Sequence, residues 1–375
     1  MFLTAAAVHG ADAPAKFLGA NFCASTSCHG GGGHDQNQSL VWSLKDFHSQ
    51  RPVATLGTAR SKQIADALDI KDATADVRCT TCHAPLQTVP ENLRGEKFAV
   101  GEGVSCESCH GPAERWLRSH TRKDYTRADR TAAGMRDLQD LYVRANTCVA
   151  CHQNVDADIL KAGHPELIFE LDGQSVAEPK HWSAEKNGNG AQAWLVGQAV
   201  ALRELSWQLS RESSPSESEI NCWNSLVWIF GEIQHLVADL PQTTVTNSSA
   251  AQDKYAQEQM HADKIARTIA ALDWTPSLTA KCLKTLANTK EHFGMPDLPV
   301  QIREEAAERF QARRAERLVL GLDRLVAAQP ELKNNQPLQS ALNQLFKLAQ
   351  SIPDFDPKQF ADALQKFSQA LNGPP

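Results

Sequence analysis

Eight of the ten cysteines occur in four pairs, and a histidine follows the second cysteine of every pair. Three pairs have two spacer residues: Cys79-Thr-Thr-Cys82-His83, Cys106-Glu-Ser-Cys109-His110 and Cys148-Val-Ala-Cys151-His152. The first pair has four spacer residues, in Cys23-Ala-Ser-Thr-Ser-Cys28-His29. Two thiols and an imidazole at a fixed spacing can hold a metal ion, form a disulfide or attach a porphyrin.

The pattern C-x-x-C-H is the attachment signature of c-type haem. Each thiol adds across one vinyl group of the porphyrin, and the adjoining histidine gives its imidazole to the iron. Accidental matches would number only about one hundredth in a chain with these cysteine and histidine frequencies. Zinc or a structural disulfide would also use a CxxC pair, but neither explains a histidine after every second cysteine. The three tight motifs therefore predict covalent haem.

The wider first pair is predicted to be a fourth attachment site, in which the two extra residues bulge outward. A disulfide or two free thiols is the alternative there. The predicted haem-attaching residues are thus Cys23, Cys28, Cys79, Cys82, Cys106, Cys109, Cys148 and Cys151, and the predicted proximal iron ligands are His29, His83, His110 and His152. Cys222 and Cys282 stand outside the motifs, and whether they pair is left open.

The sixth ligand of each iron decides whether that haem only carries electrons or can also bind a substrate. Five further histidines lie in the motif-bearing part of the chain: His34, His48, His120, His164 and His181. Methionine is scarce there, with Met135 the only one besides the initiator. We therefore expect mostly bis-His ligation and low reduction potentials, because methionine ligation raises them. An ordinary loop histidine is the alternative for each of the five.

The density of motifs and the periodicity of apolar residues change along the 375 residues of the sequence. Residues 1–13 are similar to the end of a signal peptide, with an ordinary flexible N-terminus as the alternative. Residues 14–185 are rich in motifs and broken by Gly and Pro, which predicts a tetrahaem cytochrome c domain of short helices and loops wrapped round the haems. Residues 186–190 indicate a linker, and residues 191–375 an all-α helical bundle. The predicted fold class is mainly α.

In the bundle, apolar residues at helical spacing predict helices over residues 194–209, 220–240, 256–274, 277–290 and 302–325. The last helix is predicted to start with Asp356 as its cap and Pro357 at its first position, with Phe360, Leu364 and Phe367 in a buried stripe. Four tryptophans are expected to pack in the core or between domains rather than to relay electrons: Trp194, Trp207, Trp223 and Trp228. The bundle has no haem motif, so docking onto a redox partner or dimerisation are its candidate roles.

The formal net charge is −6, and haem propionates would make the surface more acidic still. No basic tail is present, which argues against nucleic acid as a partner. Positive charge is concentrated between the third and fourth motifs, at Arg115, Arg118, Arg122, Lys123, Arg127, Arg130, Arg136 and Arg144. Some of these are expected to neutralise propionates, a solvated helix face being the alternative.

Haem is attached after export, so we expect a periplasmic protein. No stretch of the sequence approaches the roughly 18 apolar residues that a membrane span needs. The sequence therefore predicts a soluble protein whose partners are redox proteins.

The string Gly103-Val-Ser-Cys106-Glu-Ser-Cys109-His110-Gly-Pro112 resembles the tetrahaem cytochrome c-554 family. The resemblance includes a CxxCH motif upstream, a histidine ten residues downstream and a final CxxCH motif, and it covers roughly residues 18–155. Members of that family take electrons from hydroxylamine oxidoreductase in ammonia oxidation. The first motif departs from the family spacing, and the bundle is not part of that small cytochrome.

The same resemblance implies a set of distal ligands. Ser43 to His48 look like the family's distal-ligand helix, so His48 would reach the haem on His110 and His120 the haem on His29. The family's second haem is five-coordinate, which would leave the haem on His83 open. For the haem on His152 we favour His164 over His181, and then His181 or His34 could close the second haem.

Two classes of function follow. The favoured one is an electron-transfer protein, since no nucleophile–base set, phosphate loop or dinucleotide fingerprint is present. The alternative is a multihaem oxidoreductase that acts on a small nitrogen or sulfur compound at a five-coordinate haem. The spin state of the haems separates the two, because a bis-His haem is low-spin and an open one high-spin.

Overall fold

A computed structural model describes residues 14–33, 36–182, 189–237, 240, 251–293, 304–350 and 354–373. The fold is 63% helical, and the described ranges contain no β-strand. The predicted mainly α class is therefore confirmed. Among the helices described, none is long and apolar enough to cross a membrane. The predicted signal-peptide remnant at residues 1–13 and His34 lie outside the described residues.

The described ranges contain sixteen α-helices. The first nine are α1 (Gln38–Lys45), α2 (Arg51–Leu56), α3 (Ala59–Ala67), α4 (Val77–His83), α5 (Cys106–His110), α6 (Arg127–Ala132), α7 (Leu141–His152), α8 (Ala157–Lys161) and α9 (Leu171–Ala177). The other seven are α10 (Gly190–Leu209), α11 (Glu217–Ile233), α12 (Ala251–Ala271), α13 (Pro276–Ala287), α14 (Glu304–Ala327), α15 (Gln336–Ala349) and α16 (Pro357–Asn372). Helices up to α9 are short, and those of the bundle are longer.

The chain forms two compact units. Unit 1 comprises residues 1–138 and 179–182, and unit 2 comprises residues 139–178 and 183–375. Three motifs belong to unit 1, whereas the fourth lies on α7 in unit 2, where α7 packs against α10 and α12. The fourth motif shares this unit with the bundle helices. The predicted division into a tetrahaem domain over residues 14–185 and a bundle over residues 191–375 stays a prediction.

Unit 1 has little apolar core of its own. Its one cluster of buried apolar side chains in the described ranges consists of Leu56, Ala65, Ile70 and Ala73. The helices around it are short and are joined by loops and 3₁₀ turns. This construction agrees with a unit in which prosthetic groups supply much of the interior.

Unit 2 is built round α10, which is apolar on nearly all sides and almost wholly buried. A helix of that character belongs in the centre of a bundle. Gly321 of α14 lets the two helices approach closely, because a Cβ there would lie 2.6 Å from Cζ2 of the buried Trp194. Trp223 is also buried, whereas Trp207 is 41% exposed and is not part of the core.

The bundle differs from its prediction at two places. Helix α11 ends at Ile233, followed by a 3₁₀ turn over Gln234–Leu236, rather than continuing to residue 240. Val237 and Leu240 are nevertheless buried, so their apolar character reflects core contact without a helix. Helix α15 was not predicted. The start of α16 is as predicted, with the Asp356 side chain accepting from the Gln359 N–H and Pro357 in the first turn.

Candidate haem-binding site

Each of the three tight motifs lies at the end of a helix, with its histidine as the last helical residue. Side chains cap the start of these helices: Asp76 for α4, the Ser108 hydroxyl, which accepts from the Ser105 N–H, for α5, and Asp140 for α7. Residues three and four apart share one face of a helix, so both thiols and the imidazole of each motif project to the same side. That is the arrangement required for two thioether bonds and one iron bond to a single porphyrin.

The first motif is closed by a loop rather than by a helix. The His29 N–H donates to the Cys23 carbonyl at 3.1 Å, although six residues separate them along the chain. In a helical C-x-x-C-H motif the histidine N–H would donate to the same carbonyl, that of the first cysteine. The two extra residues are therefore looped out, and the ends of the motif meet. Gly30 is required for this turn, because a Cβ there would lie 2.0 Å from the Ala24 carbonyl oxygen.

Six of the eight candidate histidine ligands are held through Nδ1 by an oxygen that has no hydrogen to give. The partners are the Gln38 amide oxygen for His29 (2.9 Å), the Asp46 carboxylate for His48 (3.1 Å), and the carbonyls of Pro52 for His83 (2.8 Å), Leu117 for His120 (2.6 Å), Pro165 for His164 (2.8 Å) and Pro179 for His181 (3.3 Å). Nδ1 is therefore the protonated nitrogen, and the lone pair lies on Nε2. Metal-binding histidines in proteins are oriented in this way.

The rings of His29 and His120 lie close together, with centroids 6.1 Å apart and planes inclined by 23°. Two metal–imidazole bonds of about 2 Å, together with about 1 Å from each bonding nitrogen to its ring centre, sum to about 6 Å. The centroid separation therefore equals that of two imidazoles that share one iron when each ring turns its Nε2 toward the metal. Trp116 holds His120 from the side, in an edge-to-face contact at 5.5 Å.

His48 lies beside the third motif. Its carbonyl accepts from the Val104 N–H at 2.9 Å, and a Cβ at Gly103 would lie 2.9 Å from the same oxygen. The Asp46 carboxylate fixes the His48 ring and also comes within 4.8 Å of a ring nitrogen of His181. The structure therefore brings both His48 and His181 to the surroundings of the third motif.

His110, the predicted proximal ligand of the third motif, is partly buried, and its buried Nδ1 has no hydrogen-bond partner in the described part of the chain. Burial lowers the pKa of His110 to about 4, and the positive charge of Arg136 acts in the same direction. His110 is thus a neutral imidazole over the physiological range, as an iron ligand must be.

The fourth motif and His164 are both in unit 2, whereas His181 is in unit 1. His152 Nδ1 lies 3.5 Å from the Gln174 Nε2, and the Gln174 Oε1 is buried without a partner. A half-turn of this amide would bring the oxygen to His152 Nδ1 and satisfy both groups. Gln174 was not recognised in the sequence, because an isolated glutamine on a short helix gives no signal.

Residues 23–111 match the family model described as cytochrome c554 and c-prime. This range is a cytochrome c554-like segment. The resemblance predicted from the third-motif string is therefore confirmed over these residues. Cytochromes of this kind carry covalently bound c-type haem and transfer electrons. No curated protein and no solved structure matches the chain.

The cytochrome c554-like segment contains the first three motifs and His48, and it ends at Gly111. His120, the fourth motif and the bundle lie beyond it. The donor set of the segment fits c-type haem, because the second and third motifs each turn two thiols and one imidazole to one face of a helix, and the ends of the first motif meet through the His29–Cys23 hydrogen bond. The thiols of Cys23 and Cys106 are in contact, and their hydrogen bond raises the pKa of Cys23 and lowers that of Cys106. The first and third motifs are therefore neighbours.

Some of the arginines after the segment have partners within the protein. Arg122 pairs with Asp124 and Arg127 with Asp137, as expected for a solvated face. Arg136 instead donates to the Ser108 and Cys109 carbonyls of the third motif. Pairing with propionates, predicted for part of this group, stays a prediction.

The two cysteines outside the motifs are separate free thiols in unit 2. Burial raises the pKa of Cys222 to about 11 and that of Cys282 to about 12. Both thiols are thus protonated at neutral pH and serve as core residues.

Proposed function

We propose that the chain is an exported tetrahaem c-type cytochrome that carries electrons between redox partner proteins. Similarity to cytochrome c554 over residues 23–111 supports covalent haem and electron transfer. The proposal extends them to four haems, one on each Cys–Cys–His motif. The observation that carries it is the arrangement of the motifs: three helices each carry two thiols and an imidazole on one face, and the ends of the wider first motif meet through the His29–Cys23 hydrogen bond.

In this proposal the thioether bonds form at Cys23 and Cys28, Cys79 and Cys82, Cys106 and Cys109, and Cys148 and Cys151. His29, His83, His110 and His152 are the proximal ligands. The separation of the two rings supports His120 as the distal ligand for the haem on His29. The contact of the His48 carbonyl with Val104 supports His48 as the distal ligand for the haem on His110, with His181 as a competitor for the same place.

The remaining assignments follow from the division into units. His164 shares unit 2 with His152 and is the proposed distal ligand there. The haem on His83 is the one that the resemblance leaves five-coordinate. An open iron at that position is the basis of the alternative function, a multihaem oxidoreductase for a small nitrogen or sulfur compound.

Spectroelectrochemical titration of the haem-loaded protein, with and without carbon monoxide, tests the proposal. An electron carrier with bis-His haems is expected to reduce reversibly at potentials below those of Met-ligated haems and to stay low-spin. Addition of carbon monoxide should change its reduced spectrum by no more than the single haem on His83 accounts for. A high-spin fraction that binds carbon monoxide and accelerates reduction of a small substrate would contradict the carrier function and favour the oxidoreductase.

A further inference from the structure

The segment Lys16–Ala20, which we call the lead segment, enters the first motif and is held by three glutamates around the third. Its backbone N–H groups donate to Glu114 from Lys16 (2.8 Å), to Glu107 from Leu18 (2.9 Å) and Gly19 (2.6 Å), and to Glu102 from Ala20 (3.1 Å). Cys23 follows only three residues after the last of these contacts. The position of the first attachment site therefore depends on carboxylates beside the third.

Glu107 has the central place in this arrangement. It is a spacer residue of the third motif, between Cys106 and Cys109, and it is 1% exposed. Besides the two bonds from the lead segment, its Oε1 accepts from the Ala113 N–H at 2.7 Å. A buried carboxylate with three N–H donors is held by charge-assisted hydrogen bonds, which are shorter and stronger than neutral ones. One side chain thus joins the chain before the first motif to the chain after the third.

The lead segment has little freedom to move relative to Glu107. Gly19 has φ of +93°, and a Cβ at this residue would lie 2.7 Å from the Lys97 carbonyl oxygen. On its other side, Phe17 bonds through its N–H to the Leu93 carbonyl and through its carbonyl to the Gly95 N–H. The backbone is therefore fixed from two directions, which only a glycine at residue 19 permits.

We propose that Glu107 is a positioning residue that sets the distance between the haems of the first and third motifs. The inference rests on the proposed function, because it requires haem at both sites. Electron exchange between two haems weakens steeply as their separation grows, so a tether between the attachment sites governs the rate of that step. The buried carboxylate also places a negative charge next to both sites, and such a charge lowers haem potentials.

The test compares haem-loaded wild-type protein with Glu107→Gln. The amide keeps the shape of the side chain, but its NH₂ group faces an N–H donor where the carboxylate had accepted a bond. Two closely spaced haems give a two-lobed circular dichroism signal in the Soret region. We expect Glu107→Gln to reduce that signal and to raise the potentials of two haems. Glu114→Gln is the matched control, because Glu114 is exposed and bonds only Lys16 of the lead segment.

A purely structural role would lower the stability of Glu107→Gln without changing the Soret signal of the folded, loaded protein. An unchanged signal, or a wild-type protein that shows none, would overturn the inference. If Glu107→Gln loses haem, the milder Glu102→Gln, which removes only the bond from Ala20, is expected to reduce the signal in part. A wild-type protein without covalent haem would instead contradict the proposed function itself.

Discussion

Replacement of His120 by alanine removes one of the two neighbouring imidazoles at the first site, whose ring centroids are 6.1 Å apart. If an iron lies between His29 and His120, the variant leaves that iron with one protein ligand. The haem on His29 is then expected to change from low-spin to high-spin. His120 projects from a loop and is held by the Leu117 carbonyl and the edge of Trp116, so truncation should leave the surrounding fold intact.

The size of the effect follows from the geometry. The centroid separation of 6.1 Å leaves room for two metal–nitrogen bonds of about 2 Å each and for no further group between the rings. All of the change is therefore expected at one haem. With one haem on each of the four motifs, about one quarter of the ferric haem should become high-spin.

The assay is the ferric absorption and electron paramagnetic resonance spectrum of the haem-loaded variant. Added imidazole should enter the space left by the side chain and restore the low-spin signal. His235→Ala is the control, since His235 is an exposed residue of the bundle. A His120→Ala protein that stays wholly low-spin would refute the assignment, as would a high-spin fraction that imidazole does not reverse.

Two predictions concern unit 2, which holds the fourth motif. Burial alone would raise the pKa of Asp263, but hydrogen bonds from Tyr142, Arg267 and Arg203 outweigh it and lower the pKa from 3.8 to about 2. This ionised group therefore stabilises the fold above pH 4 by about 1 to 2 kcal/mol after solvent screening, and the contribution is lost as the pH falls through 2. In chemical unfolding at pH 7, Asp263→Asn should have a free energy of unfolding lower than that of the wild-type protein by that amount, and this free energy should fall less steeply as the pH is lowered from 4 to 2. The exposed Asp273→Asn should show neither effect. Equal free energies of unfolding for the wild-type protein and Asp263→Asn would contradict the prediction. Gly321→Ala should lower the free energy of unfolding by about 1 to 3 kcal/mol, because it forces a methyl group against Trp194. The control is Gly231→Ala, whose added methyl group meets nothing within 4 Å and should leave stability unchanged or raise it by up to about 1 kcal/mol. If both variants behave alike in thermal unfolding, the contact between α10 and α14 is not tightly packed.

The motifs could be predicted because their chemistry lies in consecutive residues. Five consecutive residues fix two thiols and an imidazole in each tight motif, and a cap such as Asp140 fixes the start of the helix that presents them. The last helix was predicted for the same reason, since Asp356 and Pro357 act within one turn. Helix α15 also has a local signal, because Leu338, Leu342 and Leu345 follow the helical period. It could therefore have been predicted from the sequence.

Other features depend on contacts between distant parts of the chain and have no local signature. Glu107 is a spacer in the motif pattern, and its three N–H partners come from residues up to 89 positions away. The place of His181 beside Asp46 depends on the return of residues 179–182 to unit 1. Packing of the fourth motif with the bundle depends on the contact of α7 with α10 and α12. Only the folded chain reveals such relations.

The most direct test of the central claim is the number of covalently bound haems per chain. Protein produced with a cytochrome c maturation system would be measured by intact mass under denaturing conditions and by haem absorbance against protein concentration. The proposal predicts four haems, including one on Cys23 and Cys28. Three haems would show that the loop-closed first motif is not an attachment site, and a chain without bound haem would contradict the account as a whole.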